Sequence, residues 1–308
     1  MPDTKSKPNY MFDNTQELEG ERLHICNVTH NPHSLKFISP LIKELPKRSQ
    51  VMELGCGGGE LAAEVVRLLP EESTLHLVDR SEDQLLRAKS IFKSTGPSES
   101  VKINAHKLDI VKEADALKRI GKMDLIYCRW VICHIPDADR IDAIATILWA
   151  LKPGGVFILE DGDNSSVQYL TKDESELPSY AKEANKRFRE TSDQICNFAK
   201  IDIQYSAKKQ QRDIKAAEQK VQLGDGEIIP LGKYRLTLND ASQKRLLSTP
   251  WRTAINMIFH AKGIENPTKA MAEEFVKPAD DCDGDDNIKA EFLTQSATAY
   301  RAPMKAKL

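Results

Sequence analysis

Hydrophobic and polar positions change rhythm twice along this chain. Residues 1–50 are polar, with one helical stripe in which Leu35, Ile38, Leu41, Ile42 and Leu45 recur at three- and four-residue spacing. Asn31-Pro32 ahead of the stripe reads as the start of that helix, since Asn caps a first turn and Pro suits its first position. From residue 51 to 163 short apolar runs alternate with amphipathic ones. Strands are expected at 51–54, 75–78, 101–108, 124–128 and 156–159, and helices at 61–69, 81–92 and 139–151. Lys152-Pro153-Gly154-Gly155 reads as the stop after the last of these helices. That alternation predicts an α/β fold, a Rossmann-like parallel sheet covered on both faces. Residues 164–290 lose the alternation and read as an inserted helical cap, with Trp251–Ala261 its best apolar helix. Residues 291–308, around Phe292 and Leu293, are expected to return one edge strand to the core sheet. The organisation read from the pattern is therefore an N-terminal helical segment or lid (1–50), a core (51–163), a cap (164–290) and a C-terminal strand segment (291–308).

Composition narrows the class. The chain has 308 residues, 40% of them hydrophobic, enough for a large core. No apolar run approaches a membrane span, and the first residues lack the apolar stretch of a secretion signal. Six scattered cysteines without a Cys-x-x-Cys pair suit reduced thiols in the cytoplasm and supply no metal site. A net charge of −2 gives no global field for nucleic acid. Asp280–Asn287 suggests a calcium loop, but Asp286 stands where the loop needs glycine and Phe292 where it needs the bidentate glutamate. The final Ala-Lys-Leu loosely matches a peroxisomal address.

The chemistry concentrates at Val51–Val65. Glu53 precedes Gly55-Cys56-Gly57-Gly58-Gly59, a strand-to-helix turn in which the backbone can approach a ligand closely. A dinucleotide loop needs a third glycine where this chain has Glu60, and both Glu60 and Glu53 oppose a pyrophosphate. The acids favour a cationic sulfonium, leaving an NAD-dependent dehydrogenase as the remote alternative. Asp79 ends the second strand, where a carboxylate can hold ribose hydroxyls. Asp109 ends the third, where it can accept from an adenine amino group. Three acids at successive strand ends converge on one crevice.

In order and spacing, Glu53–Gly59, Val78-Asp79-Arg80-Ser81, Leu108-Asp109-Ile110, Asp124–Arg129 and Leu151–Gly155 resemble the motifs of class I S-adenosylmethionine-dependent methyltransferases. The resemblance implies a seven-stranded sheet with a reversed last strand, supplied by 290–300. It implies that S-adenosylmethionine is the cofactor and S-adenosylhomocysteine the product. The backbone of Gly55, Cys56, Gly57 and Gly59 would take the methionine part, Asp79 beside Arg80 the ribose, and Asp109 with Ile110 the adenine. Cys128 and Arg129 would line the donor pocket. Cys128–Pro136 and Leu159–Asp163 are similar to members of the family that act on small molecules. No Asn/Asp-Pro-Pro-Tyr motif follows the fourth strand, which argues against base methylation.

A methyl sulfonium is already activated, so the protein mainly aligns the acceptor and removes a proton where one must leave. His134, about one turn past the fourth strand, suits a general base. Asp161, Asp163 and Tyr10 are candidates for the acceptor side. The expected partner is a small-molecule acceptor, with a protein acceptor or a non-catalytic donor-binding scaffold as alternatives. The pattern permits a dimer without requiring one.

Overall fold

The computed structural model describes residues 17–95, 100–253, 258–259, 262–264, 268–292 and 294–304. Tyr10, the Ala-Lys-Leu end and much of the 251–261 segment lie outside them. In chain order the elements are α1 (Glu17–Lys43), β1 (Gln50–Leu54), α2 (Glu60–Val65), β2 (Thr74–Asp79), α3 (Glu82–Thr95), β3 (Lys102–Lys107), α4 (Ala114–Ile120), β4 (Met123–Arg129), α5 (Asp137–Trp149), β5 (Leu151–Asp163), β6 (Gln168–Thr171), α6 (Ser179–Ala199), α7 (Ala207–Val221), β7 (Glu227–Tyr234), β8 (Thr237–Leu238), α8 (Ala241–Thr253), α9 (Lys269–Gly284), β9 (Ile288–Glu291) and β10 (Thr294–Arg301).

Seven strands form one sheet in the order β3-β2-β1-β4-β5-β10-β7. The first five are parallel, and β10 runs antiparallel to both of its neighbours. The order reverses between β1 and β4, and the carboxyl ends of strands beside such a switch point form a ligand crevice. Apolar strands explain the burial. One face packs Met52, Ile126, Phe157 and Leu159 against α4, α5 and α7. The other packs Val51, Leu75, Leu125 and Ile158 against α1, α2 and α3. A second core joins a small sheet, β6-β9-β8, to α6, α8 and α9. α1 belongs to both cores, giving Ile38 and Ile42 to the large sheet and Cys26 to the second core.

Several expectations change. Asn31-Pro32 lies inside α1, not at its start. Pro32 lacks the N–H that would bond the Val28 carbonyl, and Val28 is on the exposed side, where water can replace that bond. The stretch 164–290 is not a helical cap alone: it also gives the main sheet its edge strand, β7. Hence β10, expected at the edge, lies inside the sheet between β5 and β7. α7 is a core helix for the same reason, since Ile214 and Ala217 are buried under the sheet. Its Gln210 amide reaches the Ser296 carbonyl at 3.2 Å and its carbonyl accepts from Thr298 at 2.9 Å. Lys152–Gly155, expected as a stop, is absorbed as an irregularity in β5, opposite the register shift between Met123 and Leu125. The acids of 280–287 tie the second core together: Asp283 accepts from Tyr169 at 3.1 Å and Ser248 at 2.5 Å, and Asp285 from Tyr180.

Candidate active site

The glycine loop is built by contacts that leave no room for side chains on one side and open space on the other. Gly55 has φ +66° and donates to the Val78 carbonyl at 2.7 Å; a β-carbon there would lie 2.1 Å from Val131 Cγ2. Gly57 has φ +52°, yet a β-carbon there meets no atom within 4 Å. Gly55→Ala is therefore expected to destabilise the fold by about 2–3 kcal/mol through strain and overpacking. Adding Val131→Ala should recover much of the loss, and urea unfolding of both variants checks this.

Asp79 clamps the loop. Its Oδ2 accepts from the Gly57 N–H at 3.0 Å and its Oδ1 from the Ser81 N–H at 2.8 Å. Burial outweighs those bonds and raises its pKa. Glu53, at the end of β1, is 7% exposed, and its Oε2 has no hydrogen-bond partner among the described residues. Desolvation pushes its pKa up to about 8, against the pull of Arg129 and with the help of Glu60 and Asp79. Glu60 at the start of α2 also has an unpartnered Oε2. An acidic crevice with open carboxylate oxygens fits a cation and disfavours a diphosphate.

The other expected residues divide. Cys56 is buried in the loop, with Sγ 3.7 Å from the Gly57 carbonyl, and burial pushes its thiol well up. Cys128 is fully buried at the end of β4. Arg80 is exposed beyond Asp79. Asp109 turns back on its own loop, accepting from the Val111 N–H at 3.0 Å, while Ile110 is buried in the core. Asp161, expected on the acceptor side, has no exposed surface. It is fully buried under the 132–134 turn, accepts from the Cys133 N–H at 3.2 Å, and is pushed up to about 7 by desolvation. Asp163 pairs with Gln204 by a backbone bridge. His134 is half-buried on that turn, its N–H on the Val131 carbonyl at 3.1 Å.

Arg129 and Glu160 reveal what the sequence did not. The Arg129 guanidinium donates to Ser34 Oγ at 2.8 Å, Asn27 Oδ1 at 2.6 Å and Asn31 Oδ1 at 2.9 Å, all on α1. Glu160, with no exposed surface, accepts from three hydroxyls: Ser34 at 2.9 Å, Tyr234 at 3.0 Å and Tyr127 at 2.7 Å. Asn31 also donates to Glu64 at 2.8 Å, so α1 is pinned to α2, β4, β5 and β7 together. Beyond Arg129 comes Trp130, a non-glycine residue at φ +55°. The one signal in the sequence was a charge, Glu160, closing a buried apolar strand.

Residues 52–157 match the family described as a methyltransferase domain. N-terminal Xaa-Pro-Lys N-methyltransferase 1 of Mus musculus is 27% identical over 45% of this chain and 59% of its own. Ubiquinone biosynthesis O-methyltransferase of Colwellia psychrerythraea is 32% identical over 39% of this chain and 45% of its own. The chain thus spans about half the length of the curated relatives it matches. In fold it resembles the YcgJ protein of Bacillus subtilis, with TM-score 0.53 and 16% identity over 88% of this chain and 99% of that one. Residues 52–157 are thus similar to a methyltransferase domain, carried on a Rossmann-like fold. Methyltransferase domains of class I take S-adenosylmethionine as their methyl donor. The residues present fit that group: an unpaired buried Glu53 oxygen for its ammonium, a side-chain-free surface at Gly57, and Asp79 for the ribose. Among the described residues no helix is long and apolar enough to cross a membrane.

Proposed function

We propose that this chain catalyses methyl transfer from S-adenosylmethionine to a small-molecule acceptor. When bound, the donor supplies an electrophilic methyl group; the chain's own residues orient the acceptor, exclude water and take a proton. The observation that carries the reading is the enclosure of the site. α1 is tied down over the strand ends by Arg129 and Glu160, and His30 and Trp130 behind it have polar ring atoms sealed from solvent. Strand ends covered by a helix suit a small molecule better than a peptide, which needs an open groove. The likeness to an N-terminal protein methyltransferase keeps a protein acceptor as the second reading. His134 stands on the turn after β4 as a candidate base.

The test is label transfer. The protein is incubated with methyl-labelled donor and, separately, with a panel of hydroxylated small molecules and a panel of peptides with free N-termini. Label in the small molecules alone is expected. Label in peptides alone would establish the protein acceptor instead, and tight S-adenosylhomocysteine binding without transfer to either panel would identify a non-catalytic scaffold. His134→Ala separates base from bystander: an unchanged turnover rate removes its catalytic role.

Glu53 makes a pH signature. Its carboxyl, at about 8 in the free protein, must ionise to receive the ammonium of S-adenosylhomocysteine. Affinity should therefore rise about tenfold per unit between pH 6 and about pH 8, then level off, with a proton released on binding. Glu53→Gln should flatten that slope in calorimetry. In the free protein the sign is opposite. Folding holds the proton on Glu53, so stability falls as pH rises from the ordinary glutamate range to about 8.

A further inference from the structure

One face of β1, β2 and β3 departs from the apolar rule that builds the rest of the sheet. Met52 and Val78 on that face are core residues. In the register His76 stands beside Met52 on one side and Asn104 on the other, and His106 stands beside Val78. Three of the polar side chains there form a row. Gln50 Oε1 is 3.1 Å from His76 Nε2, and His76 Nδ1 is 3.0 Å from His106 Nε2. Gln50 gives its amide nitrogen to the Arg48 carbonyl at 3.5 Å, which leaves its oxygen for His76. A carboxamide oxygen only accepts, so His76 carries its proton on Nε2 and has a bare lone pair at Nδ1. His106 fills that lone pair with its own Nε2–H. Burial, then the charges of His106 and Lys102, hold the His76 pKa down at about 4, and burial lowers that of His106. Both rings are therefore neutral at neutral pH and offer lone pairs, not charge.

Two neutral imidazole nitrogens this close can serve as ligands. Zinc–imidazole bonds are about 2.0–2.1 Å, so two of them meeting at about 90–109° place their nitrogens about 2.8–3.4 Å apart. The 3.0 Å between His76 and His106 falls in that span without any movement of the backbone. Gln50 supplies the usual support of a ligating histidine, an acceptor on the other ring nitrogen that fixes tautomer and ring orientation. Both ligands stand on paired strands, which are rigid. His76 is buried, but His106 is on the edge strand and partly exposed, so an ion can reach the pair from that side.

We propose that His76 Nδ1 and His106 Nε2 form a binding site for a borderline divalent transition-metal ion, of the zinc and copper class. The ion takes the place of the proton between the two nitrogens. The His106 ring turns to aim its lone pair at the ion, and its proton moves to Nδ1, so the ring stays neutral and no proton is released. Among the described residues no third histidine, cysteine or carboxylate joins the pair, and water completes the coordination. The Lys102 charge opposes any cation. Hard ions such as magnesium, which seek oxygen, are therefore rejected, while nitrogen-seeking ions are kept. The bound ion clips β3 to β2, the strand that ends in Asp79, and stabilises the fold because the unfolded chain does not hold the pair together.

The test uses the full chain without a polyhistidine tag, titrated with zinc chloride in a calorimeter. Wild type should bind zinc at least about tenfold more tightly than His106→Asn, and excess magnesium should not compete. Gln50→Met keeps both ligands and removes only the acceptor; it should weaken zinc about tenfold, a loss that a merely packed histidine pair would not show. Copper(II) added in place of zinc should give an electron paramagnetic resonance spectrum coupled to two imidazole nitrogens, one of them lost in His106→Asn. Zinc should raise the thermal midpoint of wild type and leave that of His106→Asn unchanged, with circular dichroism confirming that the variant folds. Equal zinc binding in wild type and His106→Asn would place the ion elsewhere, as in the acidic crevice, and overturns the inference. Absence of zinc binding, or displacement of zinc by magnesium, overturns it as well.

Discussion

Glu160→Ala is expected to lower folding stability by about 3–5 kcal/mol, the range for removing one partner from a buried charged network. The residue has no exposed surface and accepts from Ser34, Tyr127 and Tyr234. Alanine would take the shared acceptor from three hydroxyls, of which Tyr127 and Ser34 are buried, and leave the Arg129 guanidinium without the nearby negative charge that helps hold it. α1 would lose its tie to β5, so the effect should include loss of donor binding as α1 loosens. Glu160→Gln keeps the shape and one accepting oxygen, and should cost about half as much. Urea unfolding measures both; a loss under about 1 kcal/mol for alanine would show that the three hydroxyls find other partners.

Asp79→Ala should weaken S-adenosylhomocysteine binding by about 100-fold, which is about 2.7 kcal/mol. Two losses combine. The carboxylate would no longer accept from the ribose hydroxyls, each charge-assisted bond being worth about 1.5–3 kcal/mol. The Gly57 and Ser81 N–H groups would also lose their anchor, so the loop would no longer be held in its binding shape. Asp79→Asn retains one accepting oxygen and should lose about tenfold. Calorimetry with circular dichroism as a folding control separates the cases. Unchanged affinity in the alanine variant would confine Asp79 to the loop and remove it from the ribose.

How far the sequence could be read follows from the range of the forces involved. β1 to β5 and the helices α2, α3 and α5 were legible because each is a local run of apolar residues with its own period, closed by its own turn, whereas the short α4 was not expected. The glycine loop and Asp79 were legible for a related reason. A run of left-handed turns favours glycine, and Asp79 ends the strand that pairs directly with β1. β7 was not legible. Glu-Ile-Ile-Pro-Leu-Gly-Lys-Tyr is half-exposed and interrupted by proline and glycine, so its pattern is weak, and only pairing with β10 makes it a strand. Asp161 misled because strand parity, invisible without knowing the layers, turns it into the α5–α7 side while Glu160 turns toward α1.

Local pattern was enough to define the core of this protein: an α/β unit with an acidic glycine loop between its first strand and the helix that follows. Those properties are set by residues within a few positions of one another. The seating of α1 over the strand ends was decided by the packing of distant segments alone. His30, Trp130, Tyr234 and Glu160 lie on α1, the turn after β4, β7 and β5, up to 204 residues apart between His30 and Tyr234. No local period or turn couples such positions. Their juxtaposition follows from burying α1 against the sheet and the second core at once, and with it comes the pairing of charges and hydroxyls that the interior requires.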